Sequence, residues 1–223
     1  MKKIILVVSP HADDETLGCG GSILRFLEEG HEVHWLIITN MSVSAGYSKE
    51  QVNIRRVEID KVKNAYNFSG VHELNFLPAK LESIPTGELI KSVSTVVSDI
   101  QPEIIFTAYR NDAHSDHAIV FDAVMSASKS FRALFVKKIL CYETISETNF
   151  STKPEDPGFR PNVFIDIGPY LDKKIEIMNI YKSEIGEFPF PRSIKALSSL
   201  AFLRGSQCNS DSAEAFFLVK EII

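Results

Sequence analysis

Five apolar residues in a row, Ile4-Ile5-Leu6-Val7-Val8, run directly into Ser9-Pro10-His11-Ala12-Asp13-Asp14-Glu15. An unbroken aliphatic run of this kind reads as a strand buried on both faces, and such strands lie centrally in parallel sheets covered by helices. The chain supplies those helices. Helical spacing follows at 17–29 (Leu17, Ile23, Leu24, Leu27), stopping near Gly30, and an amphipathic helix at 51–68 is closed by Gly70. Further helices are predicted at 87–100, 118–129, 171–184 and 194–203. Strands are predicted at 33–38, 74–77, 104–107, 139–142, 163–167 and 215–219. The alternation implies right-handed βαβ units and an α/β, Rossmann-like, doubly wound and mostly parallel sheet in one domain, residues 1–223. Residues 144–161, with Pro154, Pro157, Gly158 and Pro161, form a long loop, a candidate lid or substrate wall.

Composition narrows the partners. A net charge of -5, from 29 acidic and 24 basic residues, is scattered without a basic stripe, which argues against nucleic acid. No apolar run is long enough for a bilayer, and the N-terminus has no signal-peptide layout, so a cytoplasmic protein is expected. Cys19, Cys141 and Cys208 are widely spaced and odd in number. They are expected to be reduced thiols, which leaves any metal to histidine and carboxylate.

The acidic cluster stands at the carboxyl end of the first strand, where open α/β sheets bind ligands. A second cluster, His114-Ser115-Asp116-His117, follows the strand at 104–107. His11, Asp14 and His117 make a two-imidazole, one-carboxylate set suited to a catalytic zinc with an open position for water. Asp13, beside a ligand and spare, is free to be a general base. His114 can donate a proton or hydrogen bond to developing charge, and Asp116 can fix an imidazole tautomer. A magnesium-binding signalling or scaffold domain without turnover is the alternative, and it makes all three histidines accidental.

Other residues have plainer readings. Gly18, Gly20 and Gly21 have the spacing G-x-G-G, and carboxylates beside them would repel a pyrophosphate. They are expected to let a helix pack close to the sheet. Glu15 is read as an organiser of the helix start, Asp112 as a loop cap or pocket residue, and Arg55 by default as a helix-surface ion pair with Glu58 or Asp60.

Pro10-His11-Ala12-Asp13-Asp14-Glu15 and His114-Ser115-Asp116-His117 together resemble the (P/A)-H-P-D-D-E and H-x-D-H signatures of the PIG-L/LmbE-like zinc-dependent de-N-acetylases. Arg55-x-x-Glu58 is similar to that family's R-x-x-E. Tyr142-Glu143, Pro161-Asn162-Val163, Pro191-Arg192-Ser193, Arg204-Gly205 and Ala213-Glu214-Ala215-Phe216 resemble a subgroup acting on sugars and glycosylated metabolites. The resemblance implies zinc on His11, Asp14 and His117, Asp13 as general base, His114 as the group stabilising the oxyanion with Asp116 orienting it, and Arg55 facing substrate. It implies removal of an acetyl group from an N-acetylated amino sugar or sugar-linked metabolite. A different amide, as in a thiol conjugate, is the rival bond, and self-association is left open. Ala12 stands where the signature has Pro, and Phe190 where similar chains are expected to have His.

Overall fold

The computed structural model describes residues 2–153 and 155–223; Pro154, part of the expected long loop, lies outside the described residues. The strands are β1 (Ile4–Ser9), β2 (Glu32–Thr39), β3 (Gly70–Phe76), β4 (Ile104–Ala108), β5 (Lys138–Tyr142), β6 (Val163–Asp166) and β7 (Ala213–Glu221). The helices are α1 (Asp14–Glu28), α2 (Lys49–Tyr66), α3 (Thr86–Ile100), α4 (Ser115–Ala127), α5 (Leu171–Met178) and α6 (Ile194–Ser206). All seven strands join one sheet in the order β3-β2-β1-β4-β5-β7-β6. β1 to β5 run parallel, and β7 enters antiparallel between β5 and β6. The fold is the expected α/β, mostly parallel, doubly wound sheet. None of the described helices is long and apolar enough to cross a membrane.

β1 shows why its sequence does not alternate. Ile5 and Val7 point into one core with Trp35, Ile59, Val62 and Met178, while Leu6 and Val8 point into the other with Leu89, Val93 and Val124. Helices cover both faces, so every position of the strand is apolar. α2, α5 and α6 lie with α1 on the first face, and α3 and α4 on the second.

Several element ends differ from the sequence reading. α2 starts with a capping box in which the Ser48 hydroxyl accepts from the Gln51 amide and the Gln51 side chain accepts from the Ser48 amide. It ends not at Gly70 but at Asn67, whose φ of 59° lets the chain turn off; Gly70 already belongs to β3 and leaves room for the His34 ring. The helix expected to reach residue 184 stops at Met178. Beyond it, turns send the Tyr181 hydroxyl into Glu15 and set the Lys182 amide on Glu58, contacts that a continued helix would not reach.

α1 is two helical pieces joined at Cys19, whose φ of -145° and ψ of 23° are non-helical. The break frees amides that the Glu214 carboxylate of β7 accepts, from Gly21 at 2.9 Å and Ser22 at 2.7 Å, together with the Ser22 hydroxyl. Lys174 of α5 neutralises it at 2.7 Å and also donates to the Leu17 carbonyl. Both charged side chains are buried, and this full set of partners makes their burial tolerable. Gly18 packs under the Tyr142 ring so closely that a Cβ would lie 2.2 Å from Tyr142 Cδ2, so this glycine serves helix-to-sheet approach, whereas Gly20 makes room for Tyr66 of α2 and Lys174 of α5.

Candidate metal centre and substrate pocket

β1 and β4 are neighbours, and the chain leaves them toward opposite faces, through α1 and α4. The crevice between these departures lies at the carboxyl ends of the strands, where doubly wound sheets hold ligands. It opens into a cavity of about 200 Å³ that brings together His11, Asp13, Asp14, Arg55, His114 and His117.

The turn after β1 is tightly determined. The His11 amide donates to Asp14 Oδ2 at 2.9 Å. The Asp13 carbonyl accepts from Thr16 and Leu17 and starts α1, and the Asp13 amide donates to Glu15 Oε2. Asp13 itself sits at φ 152°, ψ -28°, a backbone conformation costly for any residue with a Cβ and one that surrounding bonds must hold. Glu15 is the organiser expected: fully buried, it also accepts from the Thr16 and Tyr181 hydroxyls. Burial pushes its carboxyl up to about 7.

His11, Asp14 and His117 present donor atoms within 4.8 Å of one another. Asp14 Oδ2 lies 3.4 Å from both His11 Nδ1 and His117 Nε2. His117 is held from behind, its Nδ1 2.7 Å from Asp112 Oδ2, while Asp112 Oδ1 accepts from the Thr148 hydroxyl. The other nitrogen, His117 Nε2, is buried without a hydrogen-bond partner. An orphaned imidazole nitrogen aimed at a carboxylate, with its far side fixed by a second carboxylate, is the arrangement a divalent metal takes. A second triple, His11, His114 and Asp116, also falls within 4.8 Å. Most of its atoms are engaged: Asp116 Oδ2 accepts from the Ala79 amide and lies 2.9 Å from His11 Nε2, and His114 Nδ1 accepts from the Asp116 amide, while Asp116 Oδ1 is buried without a partner. The donor set with a buried, unpartnered imidazole nitrogen is His11, Asp14 and His117, and its chemistry fits a divalent metal ion such as zinc.

The charges agree with that fit. Burial alone would lower His11 and His117, but the carboxylates outweigh it. Bonds to Asp116 and Asp14 raise His11 to about 9, and Asp14 with Asp112 raises His117 to about 10. Against its burial, Asp14 is held well below the usual carboxylate range by the His117 charge and the two imidazole bonds. Asp13 is pushed up to about 8 by burial and by Asp14, against the pull of Arg192.

His114 is the cap residue of α4. Burial, and then the charge of His11, lower its pKa. Because Nδ1 accepts a backbone N–H, a neutral ring carries its proton on Nε2, giving a donor without net charge. The Asp116 carboxylate stands 4.0 Å from His114 Nδ1 and spends its close contact on His11. It is therefore the Asp116 amide, at 3.1 Å, that orients His114.

Arg55 is not a surface ion pair. It is 6 % exposed; it donates to the Ala12 carbonyl in the metal loop and to Ser183, and pairs with Glu184 and with Glu58. Three pocket residues escaped the sequence reading as site residues. Arg192, just before α6, lies 2.9 Å from Asp13 Oδ2 and 2.8 Å from Glu184 Oε2, with Glu147 3.4 Å from its other terminal nitrogen. Only Arg192 left a trace, as a cation in the Pro191-Arg192-Ser193 string; Glu147 and Glu184 left none. Phe190 is 44 % exposed and does not line the pocket.

Known proteins carry the same frame. The chain is 28% identical over 191 residues to the protein named uncharacterized deacetylase YaiS of Escherichia coli K12, covering 82% of this chain and 92% of that one. It is 24% identical to the diacetylchitobiose deacetylase of Thermococcus kodakarensis, across 99% of this chain and 84% of the relative. The crystal structure of the conserved protein TT1542 from Thermus thermophilus superposes with a TM-score of 0.79 at 22% identity, over 100% of this chain and 97% of that one. The family model described as PIG-L, GlcNAc-PI de-N-acetylase, matches residues 6–128, the stretch that carries both clusters, and the chain belongs to the PIG-L family.

Proposed function

We propose that the protein is a zinc-dependent hydrolase that removes the N-acetyl group from an N-acetylated amino sugar or a sugar-linked metabolite. Residues 1–223 would act as one catalytic domain, with the loop at 144–161 walling the pocket. The observation that carries this reading is the partnerless, buried His117 Nε2 facing Asp14 and His11 in a pocket that also holds Asp13. The family and the relative named a diacetylchitobiose deacetylase support the bond and the sugar class.

His11, Asp14 and His117 would hold the ion. Bound there, zinc supplies Lewis acidity, bringing a water toward neutral pKa and polarising the amide carbonyl. Asp13 takes the proton from the attacking water, and Arg192 at 2.9 Å holds its carboxylate in place. His114 donates its Nε2 proton as a hydrogen bond to the developing oxyanion, for which a neutral, pre-aimed imidazole is sufficient. Asp112 and Asp116 keep the two other imidazoles in register. The C–N bond then breaks, the amine takes up the proton gathered by Asp13, and acetate leaves. The same reading takes the enzyme to be cytoplasmic, in keeping with three free cysteines.

The test is metal analysis of the purified protein with an amine-release assay over N-acetylated sugars. About one zinc per chain and release from at least one such sugar are expected. Asp13→Asn should keep the metal and lose on the order of 10²–10⁴-fold in turnover. Release only from non-sugar amides would move the reading to the rival bond. A metal-free protein without turnover would end it.

A further inference from the structure

Beside the metal residues, the pocket is lined by a chain of alternating charges. Arg55 pairs with Glu184, Glu184 with Arg192, and Arg192 with Glu147. Arg192 spends the rest of its guanidinium on Asp13 and on the Ser146 hydroxyl. Arg55 spends its own on the Ala12 carbonyl, Ser183 and Glu58. Among the described residues lining the pocket, these two arginines are the only basic side chains apart from the three imidazoles, and both are taken up by carboxylates of the chain. An anion on the substrate therefore finds no uncommitted cation on this side. It meets Glu147 and Glu184 instead, and like charges brought together in a partly desolvated cleft are strongly unfavourable. Sugar hydroxyls meet the opposite situation, because carboxylate oxygens accept from them without a charge penalty. Tyr47, on the same pocket, offers an aromatic surface of the kind on which the apolar side of a sugar ring packs.

We infer that the Glu147–Arg192–Glu184–Arg55 wall selects an uncharged, polyhydroxylated N-acetyl sugar and rejects a sugar carrying phosphate or carboxylate next to the acylated unit. The inference rests on the deacetylase reading for its choice of reaction and on the charged wall alone for its choice of charge. The wall comes from segments outside the matched stretch apart from Arg55, so this selectivity belongs to the later loops and not to the metal motifs.

The experiment uses the zinc-loaded protein and three probes: methyl N-acetyl-β-D-glucosaminide, N-acetylglucosamine 1-phosphate and N-acetylglucosamine 6-phosphate. Amine release should favour the neutral glycoside in kcat/KM by at least about tenfold, with the difference lying mainly in KM. Glu184→Gln should narrow that gap by about tenfold, by removing a negative charge and releasing Arg192 toward an anion. Glu147→Gln, which gives up only a 3.4 Å contact, repeats the test should Glu184→Gln fold poorly. Equal or better turnover of a phosphorylated sugar, with no response to either variant, would overturn the inference while leaving the deacetylase reading intact. No amine release from any probe would instead count against the deacetylase reading. Calorimetric binding of the same three probes then decides the charge question: tighter binding of the neutral glycoside upholds it, and tighter binding of a phosphate ends it.

Discussion

On one side of the pocket His11 lies in the turn after β1, and Asp14 and His117 lie in the first turns of α1 and α4, the helices that follow β1 and β4. On the other side Glu147, Glu184 and Arg192 come from two irregular segments, the first between β5 and β6 and the other two residues between α5 and α6. The first wall is fixed by the sheet. β1 and β4 are hydrogen-bonded neighbours, so the separation of their ends, and of the donors just beyond, follows from backbone geometry. The second wall is fixed by its own ion pairs, each arginine holding two or more carboxylates at once. Chemistry placed on rigid elements tolerates little drift, whereas loops on such a scaffold can be rebuilt to change what is recognised. Under the proposed function, the division gives reaction to one wall and choice of substrate to the other.

The strongest way to break this comparison is His117→Ala. It removes a donor from the rigid wall, so zinc content should fall to near zero and turnover with it, while circular dichroism stays native; full zinc occupancy would show that the donors lie elsewhere. Next comes His114→Ala, expected to keep the metal and cost about 3 kcal/mol of transition-state stabilisation, as for a lost oxyanion donor, read as a fall in kcat more than a rise in KM. Arg192→Ala touches both walls at the contact with Asp13. It should retain zinc, lose about tenfold or more in kcat/KM through a displaced Asp13, and flatten discrimination among acylated sugars; a variant that loses rate but ranks substrates as before would confine Arg192 to the rigid wall.

Smaller effects sharpen the picture through stability, not turnover, as the readout. Asp13→Gly and Asp13→Ala both delete the carboxylate, but only glycine relaxes the φ of 152°. Urea unfolding should therefore find Asp13→Gly the more stable by about 1 kcal/mol, and equal stabilities would mean that the turn is unstrained. The smallest effect is a control at the opposite end of the histidine inventory. His34 and His72 lie 3.3 Å apart on β2 and β3, both held below the usual histidine value by burial, His34 also by the charge of His72. The unfolded chain thus takes up protons first, so their contribution to stability is complete above about pH 6.5 and is lost as pH falls from there through their depressed values. His72→Gln should reduce the acid loss by about 0.5 kcal/mol in denaturant titrations at pH 7.5 and 5.5, leaving zinc content unchanged.

The rigid wall was legible because strand-end chemistry is local in sequence. An apolar run followed at once by His and Asp declares both the element and its ligand-bearing end, and His11, Asp14 and His117 fall together where that logic puts them. Fold class was legible for the same reason, from runs such as Ile4–Val8 that need cover on both faces. Contacts between distant segments were not. Nothing near Arg55 says that its helix face meets Ser183 and Glu184 instead of water, and nothing near Asp112 says that it, not Asp116, backs His117. Glu147 and Glu184 look like ordinary surface acids until tertiary packing closes them on Arg192. The helix at 171–184 was overextended because its apolar spacing continues while Tyr181 is drawn away to Glu15.

The break in α1 at Cys19 has a consequence for the order of events as the polypeptide assembles. The carboxylate that caps the second piece of α1 comes from Glu214, 193 positions along the chain from Gly21. Closing so distant a pair is a late step, since its loop entropy is repaid only once the intervening sheet has formed. The turn bearing His11 and Asp14 leads directly into that helix. The turn and the helix that follows it therefore rest on a strand far along the sequence, and a chain shorn of β7 would display the signature residues without the carboxylate that caps the second piece of α1.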